Sequence, residues 1–227
     1  MTKSFGQLPE RMRCDAVRGY FEILDRKRGS LLLKRGFDIL VSAALLVLAS
    51  PVLLGVAVAV KLDSPGPVFF RQARYTTNLR VFRIFKFRSM VDRAEEAGPL
   101  VTVDGDARVT RVGGFLRRTR LDELPQLLNV LAGDMSFVGT RPEVGKYVER
   151  YSDEMLATLL MPAGVTSLAS IRFKDEAALL ESADDADEVY VNEILPRKMA
   201  FNLAYLREFS FWGDVKLMFS TVSAMRE

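Results

Sequence analysis

The chain has 227 residues, of which 49% are hydrophobic, and it carries a formal net charge of +3. It contains no histidine, which excludes histidine-based acid–base catalysis, a Ser-His triad and histidine metal sites. Oxygen ligands for a hard cation such as Mg²⁺ remain available. The single cysteine, Cys14, excludes an intramolecular disulfide and is typical of a reducing compartment.

An amphipathic helix is predicted within the N-terminal extension, residues 1–33. Cys14, Val17, Phe21 and Leu24 recur at three- and four-residue steps, and basic residues lie nearby. Such a helix lies either on a membrane surface or against the domain or a partner subunit. The sequence leaves these alternatives open, and it leaves a homodimer open as well.

A long apolar segment follows at residues 37–60, with Asp38 as its only charge. As a straight helix it would be about 36 Å long, enough to cross a hydrocarbon core of about 30 Å. Ser50 and Pro51 lie just past its middle, where proline removes a backbone hydrogen bond and bends the helix. The Ser50 hydroxyl can satisfy a backbone group that the bend frees.

Basic residues flank both ends of this apolar segment. Lys34 and Arg35 precede it, and Lys61 and Arg71 follow it. Because positive charge marks the cytoplasmic side of a membrane, the pattern favours a re-entrant membrane helix over residues 34–62 with both ends cytoplasmic. A single kinked span and a buried helix of a soluble domain are the alternatives.

The remaining residues, 63–227, are predicted to form a cytoplasmic domain of α+β class that is mainly helical, with helices on the membrane surface. Strands at 68–72 and 79–88, joined by a turn at 76–78, predict a small β-hairpin. Helices are expected at residues 91–97, 124–131, 143–160, 188–195, 196–207 and 212–225, a turn or short helix at 112–119, and loops at 100–108 and 138–142.

Charge is distributed unevenly along this domain. Positions 71–120 contain twelve Lys and Arg against five Asp and Glu, whereas positions 175–188 contain seven acids and no base. The acidic run is interpreted as a solvated loop or helix face. A basic stripe alone is weak evidence for nucleic-acid binding, and no recognised motif accompanies it, so no nucleic-acid partner is expected.

Two adjacent carboxylates, Asp122 and Glu123, precede a predicted helix. Pro125 lacks an N–H group and is tolerated only in a first helical turn, so the helix begins close to these acids. A helix N-terminus keeps a carboxylate ionised and also binds phosphate. Three arginines lie just upstream, at Arg117, Arg118 and Arg120. Asp122 therefore either attacks phosphorus as a nucleophile or simply caps the helix.

Several short motifs occur in a fixed order from Lys34 onward. They are Lys34-Arg35-Gly36-Phe37-Asp38, Ser50-Pro51, residues 66–72, Lys86-Phe87-Arg88-Ser89-Met90, residues 121–127, residues 129–139 and Arg141-Pro142. Together they resemble the bacterial sugar transferase family of monotopic polyprenyl-phosphate phosphoglycosyl transferases. The resemblance extends to the C-terminus and is densest between residues 66 and 142.

This resemblance implies an enzyme that transfers a sugar-1-phosphate from a UDP-sugar to undecaprenyl phosphate. The reaction would be the first membrane step in assembly of an exopolysaccharide, an O-antigen or a glycoprotein glycan. Asp122 would attack the sugar-linked β-phosphate, release UMP and carry a covalent phosphosugar until the lipid phosphate accepts it. Mg²⁺ would neutralise the phosphate charge, with Asp122 and Glu123 as its ligands.

The resemblance also implies roles for further residues. Binding of substrate phosphate, or shaping of the site, falls to Lys86, Arg88, Arg118, Arg141 and Pro142. The lipid phosphate and membrane interface fall to Lys34, Arg35, Asp38, Ser50 and Pro51. An acidic side chain at the edge of an apolar segment needs a partner, and Arg35 is the candidate for Asp38. The resemblance also implies a location in the bacterial inner (cytoplasmic) membrane, with the catalytic domain on the cytoplasmic face.

Some positions depart from the family pattern. Tyr75-Thr76-Thr77-Asn78 replaces the usual glycines of the hairpin loop, Thr140 and Ala107 replace common prolines, and residues 167–174 lack the frequent Gly-Leu-Ala-Gln pattern. The last difference leaves the donor sugar open. The rival functions are a membrane-anchored basic binding module and an inactive scaffold, and the intact Asp122-Glu123 pair weighs against the scaffold.

Overall fold

The computed structural model describes residues 4–92, 94, 106–173 and 186–224. The predicted helix at 91–97, the loop at 100–108 and the acidic run at 175–188 lie largely outside the described residues. Within them the predicted class, a mainly helical α+β fold with small sheets, is confirmed.

The described elements follow one another in this order. The α-helices are α1 (Asp15–Arg26), α2 (Arg28–Asp63), α3 (Arg111–Arg118), α4 (Gln126–Ala132), α5 (Gly145–Val148), α6 (Leu168–Arg172), α7 (Ala186–Val189), α8 (Leu195–Glu208) and α9 (Phe211–Ala224). The strands are β1 (Phe69–Phe70), β2 (Ala73–Thr76), β3 (Arg80–Arg83), β4 (Lys86–Phe87), β5 (Met135–Val138) and β6 (Ala163–Thr166). Short 3₁₀ turns and one π-helical turn, Tyr190–Ile194, complete the described chain.

Helix α2 is long and apolar enough to cross a membrane, judged by length and composition. Its middle is uncovered, since Leu48 is 75% exposed. Pro51 lies inside the helix, and the Ser50 hydroxyl donates to the Val47 carbonyl at 2.7 Å. That carbonyl is the one that proline leaves without an N–H partner, so the predicted role of the Ser50 hydroxyl is confirmed.

Both ends of α2 pack against the same domain. Near the N-terminal end, Phe37 and Val41 pack on a buried cluster that includes Val130. Near the C-terminal end, Val56 packs on a second cluster that includes Leu116. The helix therefore contacts the domain near both of its ends, while apolar side chains in its middle, such as Leu48, are exposed.

The predicted β-hairpin is present, but it is divided into two short ladders. Strands β2 and β3 pair antiparallel, and β1 pairs with β4 in the register that places Phe70 opposite Lys86. The predicted turn is a 3₁₀ turn, Thr77–Leu79, in which both Asn78 and Leu79 have positive φ. Asparagine tolerates this region, whereas a branched apolar residue such as leucine rarely adopts it.

A parallel pair, β5 with β6, was not predicted from the sequence. Much of the stretch 143–160, predicted as helix, forms only α5 and the 3₁₀ turn Met155–Leu160. Where the chain leaves β5, its backbone approaches β6 closely, with Gly139 against Gly164. A Cβ on Gly164 would lie 2.2 Å from the Gly139 nitrogen, so the crossing requires glycine.

The amphipathic helix α1 packs into the domain. Val17 and Leu24 are 0% exposed and belong to the same buried cluster as Leu156 and Met199. After α1, the Lys27 ammonium donates to the Phe209 carbonyl at 2.7 Å. Of the alternatives left open by the sequence, the structure therefore has the helix packed on its own domain.

Candidate active site

Asp122 lies in a 3₁₀ turn, Leu121–Glu123, that joins α3 to α4. The residue before this turn, Arg120, is left-handed with φ 58° and ψ 15°, a conformation that is uncommon outside glycine. Helix α4 begins later, with Pro125 at its N-cap and no side chain capping it. The interpretation of Asp122 as a simple helix cap is therefore not supported.

The Asp122 carboxylate is buried and incompletely bonded. The residue is 7% exposed, and its Oδ1 atom is buried without a hydrogen-bond partner among the described residues. Burial raises the pKa of Asp122, Glu123 raises it further, and the Lys86 ammonium opposes the rise. A buried oxygen that accepts no hydrogen bond is costly, so this atom is poised to gain a ligand or a bond.

Glu123 is held between two cations. Its Oε1 atom accepts from Lys86 Nζ at 2.7 Å and from Arg141 Nη2 at 3.0 Å. Burial alone would raise the pKa of this carboxyl, but Arg141 and Lys86 together outweigh burial and hold the pKa well below its usual range. Glu123 is therefore ionised and fixed beside Asp122.

Lys86 reaches Glu123 because the hairpin is fastened to α4 at the break between its ladders. The side chain of Asn129 accepts from the Phe85 N–H at 2.8 Å and donates to the Arg83 carbonyl at 3.1 Å. Burial lowers the pKa of the Lys86 ammonium, against the opposing effect of Glu123. Nothing in the sequence indicates that an asparagine inside a short helix makes these two hydrogen bonds.

Arg141 follows the buried strand β5, on a segment that the hairpin secures. Arg74 Nη1 donates to the Pro142 carbonyl at 3.1 Å, and the Tyr75 N–H donates to the Glu143 carbonyl at 3.1 Å. Pro142, predicted as a substrate-binding residue, is thus observed as a backbone acceptor that locks the segment in place.

Arg88 and Arg118, predicted to bind phosphate, have different surroundings. Arg88 is buried and donates to the Ser64 carbonyl at 2.6 Å, at the end of α2. Arg118 is exposed on α3, whereas its neighbour Arg117 is one of the cations that lower the pKa of Asp122. The arginine run was the signal for this contribution, but the sequence did not show which member faces the carboxylate.

Lys34 and Asp38 lie inside the protein at the base of α2. Lys34 forms a buried ion pair with Asp214 of α9 and donates to the Val138 carbonyl at 2.8 Å. Asp38 accepts from the Phe137 N–H at 3.3 Å. Both predicted interface residues thus connect α2 to β5, and Lys34 is only 4% exposed.

Arg35 binds the end of a different helix. Its guanidinium donates to the Val130 carbonyl at 2.6 Å and to the Leu131 carbonyl at 2.8 Å, at the C-terminus of α4. Cations are favourable there because the last carbonyls of a helix lack partners. The predicted pairing of Arg35 with Asp38 is not observed. A cavity of about 260 Å³ borders on both residues and on Lys34.

The fold and this site define a protein in which an apolar, exposed helix is anchored near both ends to a domain. That domain presents a buried carboxylate beside an ionised glutamate, a lysine and arginines. Such an arrangement is suited to anionic, phosphate-bearing ligands.

Comparison with known proteins gives the family. The sequence model of the bacterial sugar transferase family matches residues 29–227. The chain is 42% identical over 195 residues to UDP-glucose:undecaprenyl-phosphate glucose-1-phosphate transferase of Escherichia coli (strain K12). The aligned region covers 84% of this chain and 39% of that protein. The chain belongs to the bacterial sugar transferase family.

Two further relatives show the range of names within this similarity. UDP-N-acetylgalactosamine-undecaprenyl-phosphate N-acetylgalactosaminephosphotransferase of Aeromonas hydrophila is 41% identical over 194 residues, 84% of this chain and 43% of that protein. The exopolysaccharide production protein PSS of Rhizobium leguminosarum bv. phaseoli is 40% identical over 199 residues, 85% of this chain and 94% of that protein. The chain thus spans about two fifths of the first two relatives and nearly all of the third.

Proposed function

We propose that this protein transfers a sugar-1-phosphate from a UDP-sugar to undecaprenyl phosphate through a covalent intermediate on Asp122. The observation that carries the proposal is the buried Oδ1 atom of Asp122, which has no partner among the described residues and lies beside ionised Glu123. The names of the relatives support the general reaction, since they pair undecaprenyl phosphate with sugar-phosphate transfer.

In the first half-reaction, a carboxylate oxygen of Asp122 attacks the β-phosphorus of the UDP-sugar. The bond from that phosphorus to the oxygen bridging it to the α-phosphate breaks, and UMP leaves with the electron pair. Lys86 and Arg141, which hold Glu123, place positive charge where the phosphate charge develops. The raised pKa of Asp122 makes its ionised form a stronger nucleophile than an ordinary carboxylate.

In the second half-reaction, an oxygen of undecaprenyl phosphate attacks the same phosphorus. The bond between phosphorus and Asp122 breaks, the carboxylate is restored, and a membrane-bound diphosphosugar forms. Splitting one displacement into two lets a single nucleophile serve a soluble donor and a lipid acceptor in turn.

The donor set at this site fits Mg²⁺. No cluster of three or more acidic or thiol ligands occurs in the part of the chain that the structure describes. Mg²⁺ is, however, usually bound by one or two carboxylates together with substrate phosphates, and Asp122 and Glu123 supply two. The ion, when bound, would neutralise phosphate charge. Glu123, held by Lys86 and Arg141, keeps its charge available as a ligand at neutral pH.

The packing of α2 supports a re-entrant helix with the domain on the cytoplasmic face of the bacterial inner membrane. Both ends of α2 contact one domain, through Phe37 on one side and Val56 on the other. Basic residues lie at both ends, at Arg35 and Lys61, as expected for the cytoplasmic side.

The function is tested by incubating the purified protein with Mg²⁺ and a panel of UDP-sugars, first alone and then with undecaprenyl phosphate. With donor alone, wild-type protein should release one equivalent of UMP and gain the mass of a phosphosugar. With both substrates, turnover should follow ping-pong kinetics. UMP release that requires both substrates would instead indicate direct displacement, and no release with any donor would contradict the proposed function.

Topology is tested separately with single cysteines near residues 30 and 65 in a Cys14→Ser background. Both should resist a membrane-impermeant thiol reagent in intact cells and react after permeabilisation. Labelling of one end only in intact cells would establish a spanning helix.

A further inference from the structure

A buried chain of hydrogen bonds lies directly behind the Arg141 segment. Lys198 Nζ donates to the Tyr190 hydroxyl at 3.1 Å, and that hydroxyl donates to Glu143 Oε1 at 2.6 Å. Lys198 and Glu143 also form an ion pair at 3.8 Å. All three residues are buried, with exposures of 5%, 4% and 7% for Lys198, Tyr190 and Glu143.

The elements that carry this network come from distant parts of the chain. Lys198 lies on α8, and Tyr190 begins the π-helical turn Tyr190–Ile194. Short π-helical turns are rare, cost stability and recur at functional sites. Tyr190, at the start of this turn, directs its hydroxyl to a carboxylate that is two residues from Arg141.

Stability alone is a weak reason for such a network. Removing two charges from water costs several kcal/mol per ion, and apolar residues of similar volume often stabilise a fold equally well. What a fully bonded polar network supplies is a single geometry for the backbone that carries it. Glu143 connects the network to the backbone of residues 141–143, because its own carbonyl also accepts from the Tyr75 N–H at 3.1 Å.

We propose that Glu143, Tyr190 and Lys198 are positioning residues that hold Arg141 on Glu123. Residues 141–143 are fixed from one side by the hairpin, through Arg74 and Tyr75, and from the other by the Tyr190 hydroxyl. The network therefore transmits the placement of α8 to the Arg141 guanidinium, 3.0 Å from Glu123. The expected changes in kcat and KM rest on the proposed function. The proposed placement of Arg141 on Glu123 does not depend on catalysis.

The test uses Tyr190→Phe, which removes the hydroxyl and keeps the ring. Tyr147→Phe is the matched control, because the Tyr147 ring packs on Tyr190 at 4.5 Å while its hydroxyl bonds Asp187 instead. Tyr190→Phe should lower kcat about tenfold with the donor KM changed less than about twofold, since a displaced charge is felt mainly in the transition state. Tyr147→Phe should keep both parameters within about twofold.

A double-mutant cycle with Arg141→Lys separates positioning from general loosening. If Tyr190 acts through Arg141, Tyr190→Phe should lower kcat less than about twofold in the Arg141→Lys background. A tenfold loss in both backgrounds would show independent effects and overturn the proposal. An unchanged kcat for Tyr190→Phe in the wild-type background would overturn it as well.

Hydrogen exchange on the intact protein without substrate gives a readout that does not depend on activity. Tyr190→Phe should accelerate exchange at least about fivefold in a peptide covering residues 139–144, and Tyr147→Phe should not. If no UDP-sugar supports UMP release, the proposed function fails while this measurement still decides the inference. Unchanged exchange in residues 139–144 would overturn it.

Discussion

Two clusters of charged residues in this protein look alike in sequence and differ in their structure. The base cluster, Lys34, Arg35 and Asp38, lies where α2 meets the domain. The site cluster, Lys86, Asp122, Glu123 and Arg141, comes from β4, the turn before α4 and the segment after β5. Every member of the base cluster bonds a group that belongs to the protein itself. In the site cluster one buried oxygen, Oδ1 of Asp122, accepts no hydrogen bond from the described residues; Oδ1 of Asp214 accepts none either, but Asp214 is paired with Lys34 through its other oxygen.

The difference shows how charge can serve either architecture or chemistry. In the base cluster, Arg35 bonds the last carbonyls of α4 and Lys34 neutralises Asp214, so the charges fasten a long apolar helix to a domain. In the site cluster, Lys86 and Arg141 converge on Glu123, while Oδ1 of Asp122 accepts no hydrogen bond from the described residues. Substitutions in both clusters test this distinction.

Asp122→Asn should have the largest effect on activity. The amide is isosteric but is a poor nucleophile, so UMP release should fall by at least about a thousandfold. Because burial raises the pKa of Asp122, the folded state disfavours its charge, and the stability that this group contributes at low pH is lost as pH rises through its folded pKa. At pH 7 the variant should therefore melt at the same temperature as wild type or higher.

The control for this variant is Asp153→Asn, which changes an exposed acid outside both clusters. Activity of the control should stay within about twofold of wild type. If Asp122→Asn kept near-normal activity, Asp122 would not be the nucleophile. The site cluster would then no longer differ from the base cluster by containing a reacting carboxylate.

Lys86→Met should lower kcat/KM about a hundredfold. It should also shift the acid limb of the pH–rate profile, which is the fall in kcat/KM at low pH, to higher pH. The Lys86 ammonium opposes the rise in the pKa of Asp122, so its removal raises that pKa further. The nucleophile must be ionised, and activity should then decline at a higher pH than in wild type. Rate profiles between about pH 5 and 9 measure the shift, with Lys146→Met as a control cation on the surface. If Lys86→Met leaves the acid limb unchanged, the ionisation that lowers activity at low pH does not belong to Asp122.

Lys34→Met should act on stability first. It leaves Asp214 buried without its cation, which costs about 3–5 kcal/mol when a buried pair is broken. The double variant Lys34→Met/Asp214→Leu should recover much of this loss, because no buried charge remains. Arg28→Met, which breaks an exposed pair with Asp25, should cost at most about 1 kcal/mol.

The same double variant tests whether the base cluster is architectural. Once its stability is recovered, its kcat and its KM for undecaprenyl phosphate should lie within about threefold of wild type. A large rise in the lipid KM in a stable double variant would assign Lys34 to lipid-phosphate binding, as the sequence suggested.

Arg117→Ala and Arg118→Ala are a neighbouring pair with small but unequal expected effects. Arg117 lowers the pKa of Asp122, so its loss should reduce kcat/KM severalfold and move the acid limb upward. Arg118 is exposed, and its loss should change kcat/KM less than about twofold. The reverse order would mean that Arg118, and not Arg117, lies on the face of α3 that contacts the substrate.

Much of the molecule could be predicted from local patterns. The apolar segment, the hairpin, the helices α3, α8 and α9 and a helix that begins just after the acid pair follow from periodicity, proline chemistry and charge. The Ser50 hydroxyl was also placed correctly, because the carbonyl it bonds lies three residues away on the same helix. These features depend on contacts between residues close in sequence.

Other features depend on which distant segments meet, and the sequence did not contain them. The parallel pairing of β5 with β6 joins residues 135 and 163, and the two strands are short and distant from each other in sequence. Asn129 bonds the hairpin 44 residues away, and nothing in its local sequence distinguishes it from an ordinary helical residue. The partners of Lys34 and Arg35 were missed for the same reason.

By itself, the sequence determined the presence of a carboxylate pair, a surplus of cations around it and an apolar helix with a proline at its centre, because residue type and spacing are local properties. Only the tertiary structure decided which cations bond Glu123 and which ones hold α2 on the domain. It also decided that Asp122 is buried, with an oxygen that lacks a hydrogen-bond partner among the described residues. Burial and pairing arise from the folding of distant segments around one another, and they set the pKa of each carboxyl. The division between the charges that anchor α2 and those that surround Asp122 is therefore a property of the fold.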